Sequence, residues 1–168
     1  MKKILIPSVF LPVVFLIAPL LAPAEGYGSD RTGKLQAGLG IGAAFHDPAF
    51  DMRLDTEYFI TNNISAGFDF DIIFHDSPAF LADAVGRYHF SIPRLSRLDP
   101  YAGAGLGGIT NTNGNGGFDI EVPNIGCRYE VLADRLFIGP DLGIHILTDF
   151  STTTWDVNLL FVNALYRF

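Results

Sequence analysis

The sequence predicts an all-β fold, an eight-stranded antiparallel up-and-down β-barrel that spans a membrane, and three observations carry that expectation. Apolar residues alternate with small or polar ones through most of the chain, which is the period of a strand. No stretch keeps a helical period, and 18 glycines discourage one. The face opposite the apolar one carries glycines and charges of both signs, yet Lys34 is the single lysine after residue 24. A soluble exterior is normally rich in lysine and glutamate. Aromatics gather at the strand ends: Phe45, Tyr58, Phe74, Phe80, Tyr88, Phe90, Tyr101, Tyr129, Tyr166 and Phe168. Membrane barrels carry two such interfacial girdles. A soluble barrel also alternates, with its apolar face inward, so the lysine-poor polar face and the girdles separate the two.

The order of elements begins with an export signal. Met1-Lys2-Lys3 is basic, Ile4 to Leu21 is apolar but broken by Pro7, Pro12 and Pro19, and Ala22-Pro23-Ala24 offers small residues to a signal peptidase. Cleavage is expected between Ala24 and Glu25, making residues 1–24 a cleaved signal peptide. The residue directly after the cut is Glu25, not a cysteine that could accept a lipid anchor. Residues 25–33, small and polar, are read as a short periplasmic lead, and residues 34–168 as the barrel domain. The 144 residues after the cut accommodate eight strands at about 18 residues per strand and connection. That portion has nine basic residues against eighteen acidic ones, which argues against nucleic acid as a partner. Cys127, alone, reads as a small apolar filler on a lipid-facing position.

Strand 1, about Lys34 to Phe45, points Leu35, Ala37, Leu39, Ile41, Ala43 and Phe45 to lipid, with Gln36 and glycines inward. Strand 2, Asp51 to Ile60, directs Arg53, Asp55 and Glu57 inward, and Thr61-Asn62-Asn63 makes a tight turn. Strand 3, from Ile64, directs Ser65, Gly67, Asp69 and Asp71 inward; strand 4, Ala79 to Phe90, does so with Asp83, Arg87 and His89. The turn sets Ile60 opposite Ile64, hence Arg53 opposite Asp71 and Asp55 opposite Asp69. Placing Phe74 opposite Phe80 then puts Asp83 across from Asp71. The expected result is an interior charge network of Arg53, Asp55, Asp69, Asp71, Asp83 and Arg87, with Arg53 the central counter-ion, because charges shielded from water need partners.

Ser91 to Asp99 is a longer periplasmic connection. Strand 5, Tyr101 to Ile109, uses glycines at 103, 105 and 107 to leave room inside, and Thr110 to Gly117 reads as a mobile loop. Strand 6 starts at Phe118 and changes parity near Pro123, which predicts a β-bulge. Strand 7, Leu136 to Leu147, carries Asp141 and His145 inward. Thr148 to Thr154 forms the last outer loop. Strand 8, Trp155 to Phe168, presents Leu160, Val162, Ala164, Tyr166 and Phe168 to lipid and closes against strand 1.

Pro100-Tyr101-Ala102-Gly103-Ala104-Gly105-Leu106-Gly107 and the Leu165-Tyr166-Arg167-Phe168 ending resemble the small eight-stranded outer-membrane barrels of the OmpA transmembrane-domain and OmpX type. That resemblance implies a bacterial outer-membrane location, both termini periplasmic, contact with outer-membrane lipids and lipopolysaccharide, a monomer, and Tyr166 with Phe168 as the signal read by the barrel-assembly machinery. It is nearly silent about function, since the architecture hosts anchors, adhesins and enzymes.

An eight-stranded barrel is only wide enough for its own side chains, which argues against a porin-like channel. Outer-membrane lipid A deacylases resemble this chain in size and carry a serine two residues after a strand-7 histidine. Here His145 is followed by Leu147 in that place, Thr148 points to the opposite face, and Asp156 only loosely replaces the acid, so the nucleophile is missing. The repeat Phe45-His46-Asp47-Pro48-Ala49-Phe50 and Phe74-His75-Asp76-Ser77-Pro78-Ala79-Phe80 places His46, Asp47, His75 and Asp76 on neighbouring outer loops. They are weak metal candidates, because Asp-Pro turns beside girdle phenylalanines explain the repeat more cheaply. The expectation is a non-enzymatic surface or membrane-integrity protein with a side-chain-filled interior, no catalytic residues and no cofactor. A lipid A-modifying hydrolase and a narrow solute pathway are the alternatives.

Overall fold

The computed structural model describes residues 30–92 and 94–168; the expected signal peptide and the first five residues of the lead lie outside them. Eight strands follow in order: β1 (Leu35–Ala44), β2 (Ala49–Phe59), β3 (Ile64–Phe74), β4 (Ala79–His89), β5 (Leu98–Asn111), β6 (Gly116–Leu132), β7 (Leu136–Thr148) and β8 (Thr153–Arg167). Each pairs antiparallel with the next, and β8 pairs with β1, so the sheet closes into a barrel without a free edge. Closure satisfies every strand with a neighbour on both sides, as a spanning sheet in hydrocarbon requires. Phe168 donates its backbone N–H to Leu35 O at 2.8 Å, which sets the end of β8 beside the start of β1.

The alternation sorts the side chains in the sense opposite to a soluble protein. Leu39, Leu54, Phe68, Leu106 and Phe161 stand exposed on the outside, while Arg53, Asp69, Arg87, Glu121 and Arg128 are buried within. Only a lipid environment makes that outer band favourable, since an exposed apolar belt of this extent is costly in water. The loops differ by end. Four hairpins of four residues (45–48, 75–78, 112–115 and 149–152) crown one end, and the start of β1 and Phe168 lie at the other.

The Thr61–Asn63 turn gives the expected β2–β3 register, Arg53 opposite Asp71 and Asp55 opposite Asp69. The next hairpin differs by two residues. Asp83 pairs with Asp69 rather than Asp71, and Phe80 with Ile72, because Pro78 stays in the turn and Ala79 already joins the ladder. Parity survives a two-residue slide, so every β4 side chain keeps its face. The expected bulge lies at Val122-Pro123: Glu121 and Asn124 both face inward, and the β5–β6 and β6–β7 registers shift there.

Three expectations are corrected. Leu160 faces the interior at 1% exposure, because a bulge sends Phe161 and Val162 outward together and reverses parity beyond them. Tyr101 is inside the barrel rather than in a girdle. Thr110 and Asn111 belong to β5 and Gly116 and Gly117 to β6, leaving only 112–115 as loop.

Candidate functional site

The interior is stacked in layers along the barrel axis. At the hairpin-loop end, Ala44, Ile73, Ala79 and Leu81 form an apolar layer with Ala49, Ile109 and Leu147 packed against it. Above it opens a mouth of about 890 Å³, walled by Asp47, His75, Asp76, Asn111, Asp149 and Thr154. Below it the interior is ionic.

Arg53 and Arg87 organise the upper and lower halves of that ionic core. Arg53 Nε donates to Asp71 Oδ1 at 2.6 Å and Nη1 to Asp141 Oδ1 at 3.2 Å. Its head lies 3.4 Å from Asp69 Oδ2 and 3.6 Å from Glu121 Oε1. Arg87 donates to Asp69 Oδ2 at 2.5 Å, Asp55 Oδ1 at 3.2 Å and Asn124 Oδ1 at 2.9 Å. Of the six network residues expected from sequence, these contacts bring Arg53, Asp69 and Asp71 together, and join Asp55 and Asp69 through Arg87. Asp83 contacts neither arginine among the described residues.

Arg128 was absent from that expectation. It donates to Glu57 and, at 3.1 Å, to Asp55 Oδ2, while its guanidinium stacks 4.3 Å from the Tyr101 ring centroid. Tyr101 in turn donates its hydroxyl to Asp141. The signal was present in the alternation past the bulge, which turns Arg128 inward. Its partners lie on β2, more than 70 residues away, and nearest-strand pairing does not give such chords across the barrel. β8 closes the network: Asn158 donates to Asp51 at 3.1 Å and Asn163 to Asp55 at 3.1 Å.

A serine–histidine–aspartate row lies at the opposite end. Ser65 Oγ is 3.1 Å from His89 Nε2, and His89 Nδ1 is 3.0 Å from Asp99 Oδ1. Glu57 Oε1 competes with His89 for the Ser65 hydroxyl in this row. It lies 2.8 Å from His89 Nε2 and 2.5 Å from Ser65 Oγ, so it accepts the protons that a general base would need to take. All four side chains are buried.

The deacylase-like positions are occupied differently again. His145 faces inward and its Nδ1 lies 2.6 Å from Asp119 Oδ2. Asp156 is the cross-strand partner of His145, but its Oδ1 accepts the backbone N–H groups of His46 at 2.8 Å and Phe45 at 3.2 Å. Thr148 Oγ1 accepts from Phe150 N–H at 3.1 Å within the last outer turn. The loop histidines do not converge. His75 Nδ1 is 3.7 Å from Asp47 Oδ2, whereas His46 packs edge-on against Trp155 at 5.8 Å. In the same rim, Asp149 accepts the N–H groups of Ser151 and Thr152, which holds its carboxyl below the usual range.

No protein-family model matches this sequence, and no curated protein sequence does. Solved structures show the fold. The N-terminal barrel domain of Pseudomonas aeruginosa OprF is similar at a TM-score of 0.61 and 17% identity, covering 83% of this chain and 100% of that one. Neisserial surface protein A (NspA) is similar at 0.60 and 16%, covering 80% and 94%. The outer-membrane protein OprG from P. aeruginosa is similar at 0.59 and 8%, covering 85% and 99%. The fold is that of the small eight-stranded outer-membrane β-barrels.

Proposed function

We propose that this barrel of the outer-membrane kind is a non-enzymatic component of the bacterial outer membrane, working through its lipid-facing band and its rim rather than through a channel or an active site. The single observation that carries this is the filled interior. From Asp51 near the mouth to Arg167 at the opposite end, buried side chains cross-link all eight strands, and an open mouth lies above the apolar layer. A pathway for solutes would have to break several charge-assisted hydrogen bonds at once. Its surroundings are outer-membrane lipids and lipopolysaccharide, reached through the barrel-assembly machinery after export, and it acts as a monomer with a rim of short hairpins.

The test uses the purified barrel. In planar bilayers it gives no discrete conductance steps, and with lipopolysaccharide it releases no acyl chains. Steps that persist across independent preparations would support a solute pathway instead. Acyl release abolished by His145→Ala would establish the hydrolase.

A further inference from the structure

We propose that the interior just beneath the apolar layer binds one divalent metal ion, held by the carboxylates of Asp83 and Asp119 and the imidazole of His145. This goes beyond the absence of a cofactor expected from the sequence, and it is independent of whether the rim or the lipid face does the protein's work. The three residues come from β4, β6 and β7, and each brings one ligand atom within 4.8 Å of the others. The strand between the first two makes this meeting possible. Gly107 on β5 is the ladder partner of both Asp83 and Asp119, and a Cβ there would run into Asp83 Oδ1. The missing side chain leaves the space in which the two carboxylates face each other.

The cluster also lacks the cations that neutralise the rest of the core. Among the described residues, eleven acidic side chains are buried in the barrel against four arginines and two histidines. Arg87, Arg128 and Arg167 serve the half toward the termini, and Arg53 alone reaches up to Asp71 and Glu121. No arginine or lysine among the described residues pairs with Asp83 or Asp119. Among the described residues, Asp83 is fully buried and neither of its carboxylate oxygens has a hydrogen-bond partner; Asp119 Oδ1 and His145 Nε2 are likewise buried and unpartnered there. A carboxylate this deep without a partner, as Asp83 is, is costly, and a divalent ion would compensate it together with Asp119, whose Oδ2 already meets His145 Nδ1 at 2.6 Å.

Chemistry narrows the ion. One imidazole with two carboxylates suits zinc and its first-row neighbours better than calcium or magnesium, which prefer all-oxygen sites. Glu121 Oε1, 3.6 Å from His145 Nε2, borders the site. Gly143 gives the ring its space, since a Cβ there would lie 2.9 Å from His145 Nε2.

The experiment is zinc stoichiometry on the whole folded barrel. Protein refolded with zinc and desalted is analysed by mass spectrometry of the elements, with folding checked by heat-modifiable migration. The wild type is expected to keep about one zinc per barrel, and Asp83→Asn and His145→Gln to lower the affinity by at least ~10-fold. An Asp47→Asn/His75→Ala variant should keep the ion. Wild type without zinc overturns the proposal and leaves shared protons as the way the carboxylates are neutralised. Zinc retained in His145→Gln, or lost only in the mouth variant, overturns it too. If the interior variants do not fold, cobalt titration of the wild type decides. Visible bands of nitrogen- and oxygen-coordinated cobalt, together with imidazole resonances shifted by the metal, support the site, and their absence overturns it.

Discussion

Replacing Arg53 with alanine is the most informative perturbation of the core. The guanidinium is 1% exposed and faces four carboxylates: Asp71 at 2.6 Å, Asp141 at 3.2 Å, Asp69 at 3.4 Å and Glu121 at 3.6 Å. The four do not lose equally. Asp69 keeps Arg87, and Asp141 keeps the Tyr101 hydroxyl, but Asp71 keeps no hydrogen-bond partner among the described residues. Removing one member of a buried pair costs about 3–5 kcal/mol, most of it from the charge left behind. Neutralising that charge should therefore recover part of the loss. In a cycle with Asp71→Asn the coupling is expected at about 1–2 kcal/mol, within the range for residues in contact. Urea unfolding in phospholipid vesicles, followed through the single tryptophan Trp155, measures it. Lys34→Ala serves as the control: its ion pair with Asp134 is about one-third exposed at each end, so its loss should stay within ~1 kcal/mol. A loss for Arg53→Ala as small as the control's, or strictly additive losses in the cycle, would refute the reasoning and mean that water screens the core.

Three further outcomes are expected. Phe168→Asp should reduce outer-membrane levels and heat-modifiable barrel far more than stability, because the Phe168 side chain is 71% exposed, its ring edge-on to Tyr166 with centroids 5.1 Å apart; unchanged levels would remove its role as an assembly signal. Gly126→Ala should destabilise by about 1–3 kcal/mol in the same urea assay, since the added Cβ lies 2.5 Å from Tyr101 Cζ, on a ring already held against Arg128. Smaller side chains at 101 should restore part of it. Replacing His46 and His75 together should leave any zinc-induced rise in unfolding temperature in place, because those rings point to different neighbours; loss of the rise would locate the metal in the mouth.

The strand count, the inside-out sorting and the Pro123 bulge were legible in the sequence because each leaves a local mark: a period, a lysine-poor polar face, a parity change at a proline. Leu160 was not. Leu159-Leu160-Phe161-Val162 is apolar throughout, so nothing in it marks which residue the bulge displaces, and only the pairing with Ile41 and Gly42 does. Asp83 kept its face but lost its expected partner, since hairpin length fixes register only to within a two-residue slide. The site was legible one strand at a time. Arg53 opposite Asp71 is a cross-strand neighbour and could be derived. Arg53 with Asp141, or Arg128 with Glu57, spans the closed barrel and depends on its curvature and bulges. The Asp83–Asp119–His145 cluster lay hidden for the same reason, with Gly107 between its first two members offering no sign of what it makes room for.

The bonds from Asn158 to Asp51 and from Asn163 to Asp55 join residues more than 100 positions apart, and they exist only once β8 has met β1. An eight-stranded sheet still open along that seam would hold β8's polar residues away from the carboxylates they complete, with water or headgroups in their place. Closing the seam therefore does more than add one more ladder: it lets the half-solvated ionic lining dry out in a single step. A sheet that zipped with β8 one residue out of register would turn its polar side chains toward lipid and its apolar ones toward the carboxylates. The polar lining thus acts as a test of ring closure, passed only when the first and last strands meet in the right register.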